Sequence, residues 1–105
     1  MSKYGNRKTV VDGITFDSAK EARRYGELKL LERAGQIVDL RVQPEFELDV
    51  KGVRVCKYRA DFAYREHGGS TVVEDVKSPI TAKNPTYRIK SKLLYAIYGI
   101  QVREV

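Results

Sequence analysis

A chain of 105 residues has room for one hydrophobic core, so a single domain is expected over 1–105. Its 42% hydrophobic and 10% aromatic content excludes a disordered chain, and no apolar run approaches the ~20 residues of a membrane-spanning helix. Twenty Lys and Arg against 14 Asp and Glu, formally +6, favour a polyanionic partner. No basic segment followed by an apolar one opens the chain, so no secretory signal is read. The single cysteine, Cys56, has no partner within the chain. It fits a small buried side chain in a reducing compartment, so a soluble cytoplasmic protein is expected.

Residues 1–7 are polar and basic and read as a mobile arm. Thr9-Val10-Val11 and Ile14-Thr15-Phe16 flank Asp12-Gly13, a two-residue loop suited to a type I′ hairpin. A helix follows from Ser18 to about Ala34, stopped by Gly35. Tyr25, Leu28 and Leu31 share one arc of it, and Ala19, Ala22, Gly26 and Leu30 a smaller one. A helix apolar on two sides suits a place between layers or between subunits. Strands are expected over Val42 to Val50, Val53 to Tyr64 and Thr71 to Lys77. Lys51-Gly52 and His67-Gly68-Gly69 turn them into an antiparallel meander. Pro79 closes the third strand, and 78–84 reads as a loop. Asn84 caps a second helix with Pro85 in its first position; Gly99 ends it after Tyr98. The last strand, Ile100 to Glu104, returns through this helix, which implies parallel pairing and a right-handed connection. The expected fold is mixed α/β: an α-β-β-β-α-β core with a mixed sheet and an N-terminal β-hairpin.

Chemistry concentrates in Thr71-Val72-Val73-Glu74-Asp75-Val76-Lys77. Side chains alternate along a strand, so Asp75 and Lys77 share a face while Glu74 goes with Val72 and Val76. Asp61 lies 14 positions before Asp75, across the turn. Two carboxylates in one cleft repel each other, and a divalent cation reverses that cost. Oxygen ligands of this kind suit Mg²⁺ or Mn²⁺, to which the Val76 carbonyl can add another. Lys77 is then placed to orient water or stabilise developing charge. The competing explanation is a surface ion pair between Asp75 and Lys77.

The segments Tyr58-Arg59-Ala60-Asp61-Phe62 and Val72-Val73-Glu74-Asp75-Val76-Lys77-Ser78 resemble the PD-(D/E)XK nuclease superfamily. More narrowly, the chain is similar to a small bacteriophage family of uncharacterised proteins related to phage Holliday-junction resolvases. The likeness extends to Phe16-Asp17-Ser18-Ala19-Lys20-Glu21, Arg33-Ala34-Gly35-Gln36-Ile37 and Gln43-Pro44-Glu45-Phe46, and so covers most of the chain. It implies that Asp61 and Asp75 are metal ligands, Lys77 the catalytic lysine and Glu21 an additional acidic ligand. Ala60 stands where the superfamily's name has proline, a residue without side-chain chemistry. Glu74 is the alternative acid if the strand bulges; the period of two favours Asp75. Glu21 has its own alternative, since Ser18-Ala19-Lys20-Glu21 matches a capping box. Its arc, shared with Tyr25 and Leu28, faces it inward.

Lys83, Arg88, Lys90 and Lys92 surround the second helix start. They read either as a solvated face or as contacts to phosphate. Gln43 either bonds near the site or satisfies a backbone group. Tyr4, Arg7 and Lys8 are candidates for an arm over nucleic acid, and His67 is a turn residue. The leading expectation is an Mg²⁺- or Mn²⁺-dependent endonuclease on DNA, with branched or four-way-junction DNA as the implied substrate and a homodimer as the assembly. The alternatives are a nucleic-acid-binding module without catalysis and a phage interaction protein on a nuclease fold.

Overall fold

In a computed structural model, residues 7–105 are described. Tyr4 and the rest of residues 1–6 lie outside the described residues; Arg7 and Lys8 are exposed. The hairpin β1 (Thr9–Val11) and β2 (Ile14–Phe16) pairs Val11 with Ile14. Asp12 and Gly13 both take positive φ, 53° and 75°, which a primed turn demands and Asp-Gly tolerates. Helix α1 (Ala19–Arg33) begins at Ser18, whose hydroxyl accepts the Glu21 N–H, and ends before Gly35 at φ 77°.

The middle of the chain departs from a three-strand meander. Five strands stand there: β3 (Ile37–Val42), β4 (Glu45–Val50), β5 (Val53–Arg59), β6 (Phe62–Glu66) and β7 (Thr71–Asp75). A strand expected over 42–50 is broken at Gln43, whose φ is 54°, and at Pro44, which has no N–H for a ladder. Opposite this break, the strand expected over 53–64 is interrupted at Ala60 and Asp61. The two interruptions bond across to each other, Gln43 N–H to Asp61 O at 2.9 Å and Ala60 N–H to Pro44 O at 3.1 Å. β4 and β5 thus form their own two-stranded ribbon, bent away from the main sheet where Asp61 sits.

A 3₁₀ turn (Thr81–Lys83), α2 (Pro85–Tyr98) and β8 (Val102–Glu104) complete the chain. Asn84 caps α2 by accepting the Tyr87 N–H at 3.0 Å, and Gly99 closes it at φ 71°. The main sheet has the order β3-β6-β7-β8, antiparallel except for β7 and β8, which run parallel with Val73 opposite Val102. The fold is mixed α/β: the helices and the main-sheet strands follow one another as α-β-β-β-α-β, with the β4–β5 ribbon inserted after the first of those strands and the hairpin ahead of the whole.

Each face of β6 and β7 has its own cluster. Phe62, Tyr64 and Val72 pack with Phe16, Tyr25 and Leu28 under α1. Ala63 and Val73 pack with Tyr58, Tyr87 and Leu94 under α2 and the ribbon. Covering both faces explains why Phe62, Ala63 and Tyr64 are consecutive and all buried. Helix α1 buries one stripe, Ala22, Tyr25 and Leu28, and not two: Leu30 is 63% exposed. Among the described residues, no helix is long and apolar enough to cross a membrane.

Candidate functional site

Asp75 ends β7, where the alternation turns it toward the ribbon and α2. It is 2% exposed. One carboxylate oxygen accepts the Tyr58 hydroxyl, and the other accepts the Asp61 backbone N–H at 3.0 Å. Asp61 returns the contact, accepting the Val76 N–H at 2.7 Å. The Asp61 N–H is shared, since it also donates to the Glu74 carbonyl on β7 at 3.2 Å, so the brace sits where the pairing of β6 with β7 runs out. Lys77 follows two residues on, with its N–H on Val105 O at 3.2 Å and its carbonyl accepting Lys20 Nζ at 3.1 Å.

Glu21 arrives from the first turn of α1. Its N–H takes the Ser18 cap, but its carboxylate accepts the Asp17 N–H at 3.4 Å, not that of Ser18. The reciprocal half of a capping box is therefore replaced by a long contact one residue earlier, and the carboxylate remains at the cleft. Glu21, Asp61, Asp75, Val76 and Lys77 all line one cleft of about 770 Å³. Arg7, Lys20 and Arg59 line it as well. A second cleft of about 620 Å³ shares Arg59, Asp75 and Lys77 with the first and adds Tyr87, Lys83 and Lys90.

Burial is the first cause of a raised pKa at all three acids. Burial pushes Asp61 up to about 7, the Val76 N–H opposes this, and the charges of Asp75 and Glu21 add to the rise. Asp75 is also raised, first by burial, with the Tyr58 hydroxyl and the Lys77 charge opposing. Glu21 follows, raised by burial and then by Asp17 and Asp75. Tyr58 is itself driven upward by burial and by the Asp75 charge, so it stays a donor.

An Asp75–Lys77 ion pair is not formed. Among the described residues Lys77 makes no ion pair. Its ammonium lies 4.1 Å from the centroid of the Tyr87 ring. The neighbouring acid Glu74 belongs to the other face. It is fully buried and accepts Arg24 Nε at 2.8 Å, Arg24 Nη2 at 2.6 Å and the Tyr64 hydroxyl.

The expected cationic face divides. Lys83 and Lys90 reach the second cleft, whereas Lys92 lines a separate depression with Ser91, Tyr95 and Gln101, and Arg88 lines neither cleft. The cause is helical rotation: residues two apart on α2 point to different sides. Gln43 is not at the site either. Its side-chain amide donates to Thr15 O at 2.9 Å, tying the kink to the N-terminal hairpin. Of its two expected roles, the backbone one stands. His67 is exposed in its turn, and Cys56 is half-buried in β5.

Arg59, Lys20 and Tyr58 were not legible as site residues. Arg59 carried one signal, its spacing of two from Asp61. Lys20 and Tyr58 carried none, because their partners come from segments 57 and 17 residues away.

Among the described residues, no three His, Cys, Asp or Glu side chains converge as a ready-made metal cage. The donor chemistry still suits a hard cation. Mg²⁺ is commonly held by one or two carboxylates, with waters and substrate phosphate completing its shell. Asp61 and Asp75 share a cleft, bear all-oxygen donors and repel each other without a cation.

No curated protein matches the chain, and no solved structure matches it. The family model described as protein of unknown function (DUF1064) matches residues 1–104, and the chain belongs to that family.

Proposed function

We propose that this protein is an Mg²⁺- or Mn²⁺-dependent DNA endonuclease, in keeping with the resemblance of its sequence to the PD-(D/E)XK nucleases. One observation carries the reading: Glu21, Asp61 and the pair Asp75 and Lys77, from three separate parts of the chain, line a single cleft with Arg7, Lys20 and Arg59. A cluster of acids alone would repel a phosphodiester. Acids inside a cationic rim attract the phosphate and leave a place for a cation beside it.

Asp61 and Asp75 would hold the ion, with Glu21 and the Val76 carbonyl as further oxygen donors. When bound, such an ion supplies Lewis-acid polarisation and a more acidic water. The chain's own residues do the rest. Arg59, which borders both clefts, and Lys20 fix the phosphate. Tyr58 and the Asp61 N–H hold the Asp75 carboxylate in one orientation. Lys77 stabilises the charge that develops on the phosphoryl oxygens.

The deciding assay incubates the protein with Mg²⁺ or Mn²⁺ and duplex, flap or four-way-junction DNA. Cleavage that vanishes with chelator and in Asp75→Asn is expected; intact DNA of every form with both ions overturns the enzyme reading. A second reading, nucleic-acid binding without catalysis, is favoured by the internal hydrogen bonds that already engage Asp61 and Asp75. Binding without cleavage in the same assay would select it. A homodimer in the bacterial cytoplasm completes the proposal. Leu30 on α1 and Val10 on the hairpin, 63% and 65% exposed, leave apolar surface for a second copy. Light scattering at monomer mass would overturn the dimer.

A further inference from the structure

Lys77 and Asp75 leave an extended segment on the same side, roughly 7 Å apart along the chain, well within a lysine's reach of the acids. The ammonium nevertheless rests on an aromatic face. Tyr87 lines the second cleft and not the first, whereas Lys77 lines both. Lys77 therefore borders both clefts while its ammonium lies over the ring of a residue that does not line the first.

The ring under it is fixed from three directions. Its backbone N–H is held by the Asn84 cap at 3.0 Å, and its hydroxyl donates to Glu104 Oε2 on β8 at 2.7 Å. The Tyr58 ring lies beside it, with centroids 6.4 Å apart. Tyr87 is buried, so its ring is held by packing that does not depend on Lys77. A pre-set aromatic face attracts an ammonium through the ring quadrupole. The alternative seat is open but already shared: Asp75 accepts from Tyr58 and the Asp61 N–H, and Asp61 from the Val76 N–H, which leaves each carboxylate lone pairs to spare. Pairing there would also strip water from the ammonium.

We propose that the Tyr87 ring is a parking platform that keeps the Lys77 ammonium from pairing with the carboxylates, so that Asp61 and Asp75 retain their capacity for a divalent cation. The role rests on the metal-dependent reading above. Tyr87 is a positioning residue: it acts through where it holds Lys77. Without the platform, the lysine falls back onto the acids and competes with the ion.

The test is Mn²⁺ binding without DNA, read by calorimetry or by the electron paramagnetic resonance of unbound Mn²⁺. Tyr87→Leu removes the ring and is expected to weaken Mn²⁺ binding roughly three- to thirtyfold. Tyr87→Phe keeps the aromatic face, loses only the Glu104 bond and should stay within about twofold. Adding Lys77→Met to Tyr87→Leu should restore affinity, because the competitor is gone. Undiminished affinity in Tyr87→Leu, or a loss that Lys77→Met fails to reverse, overturns the platform. If Tyr87→Leu does not fold, Lys77→Met alone decides. A gain of less than about threefold fits a lysine parked away from the acids, and a larger gain means that it was already competing there. In the metal-free protein, the Lys77 ε-methylene protons should show an upfield ring-current shift, and its absence overturns the parked position. That shift together with no Mn²⁺ uptake by the wild type would instead sink the metal reading and leave the parking intact.

Discussion

Glu74 and Asp75 are consecutive on β7 and almost equally withdrawn from water, at 0% and 2% exposure. Their surroundings differ completely. Glu74 meets a two-pronged guanidinium and a tyrosine hydroxyl under α1, so its charge is neutralised within the fold. Asp75, on the opposite face, has a tyrosine and a backbone N–H for company, and the cation two residues away is held elsewhere. One face completes a buried ion pair, and the other leaves a pair of acids short of positive charge. On the proposed metal-dependent reading, the difference separates a carboxylate that holds structure together from one kept for an external cation.

The comparison breaks most visibly at Arg24. Arg24→Met strands Glu74 as a buried uncompensated charge, and urea unfolding is expected to show a loss of about 3–5 kcal/mol. Asp75→Asn should behave in the opposite way in metal-free buffer, holding or slightly raising the melting temperature as acidic repulsion is relieved. A drop in Asp75→Asn as large as that in Arg24→Met would erase the distinction between the two faces.

Catalysis provides the converse contrast. Asp61→Asn, Asp75→Asn and Lys77→Ala should each slow cleavage at least about a hundredfold. Arg24→Lys, which keeps the charge beside Glu74, should retain most of the rate. Glu21→Gln keeps the Ser18 cap and the fold, so a large rate loss there marks Glu21 as a ligand and an unchanged rate marks it as part of the helix start.

A smaller effect lies in pH. Folding raises the Asp61 pKa from its ordinary 3.8 to about 7, so this carboxyl favours the fold while protonated. Its contribution is complete below about pH 4 and is lost as pH rises through about 7. Metal-free wild type should therefore lose about 1–3 kcal/mol relative to Asp61→Asn across that window. Mn²⁺ should reverse the loss, with binding that tightens as pH rises toward 7 and releases a proton. Parallel stability curves for the two proteins would show that Asp61 is not under strain.

The smallest expected effect tests the division of the α2 cations. Lys83→Ala with Lys90→Ala should weaken DNA binding and flatten its salt dependence, each lost phosphate contact lowering the slope by about 0.9. Lys92→Ala should change neither, because Lys92 lies in a different depression. Equal effects from Lys90 and Lys92 would move the nucleic-acid path off the two clefts.

Local chemistry explains what the sequence alone determined. Asp12-Gly13 and Lys51-Gly52 made their turns, Ser18 and Asn84 capped their helices, and Gly35 and Gly99 ended them, because each choice depends on neighbours a few residues away. The period of two likewise sorts Glu74 from Asp75, since alternation along a strand depends on no distant contact. The position of β3 and the break at Ala60 and Asp61 were hidden, since a kink in one strand needed its counterpart at Gln43 and Pro44 in another. Tertiary structure alone decided the partners: Arg24 for Glu74, Tyr58 for Asp75, Thr15 for Gln43 and Tyr87 for Lys77. Those pairings join residues 10 to 50 positions apart. Which charge is neutralised and which is left for a ligand depends on what the fold brings across those distances, and no periodicity along the chain records it.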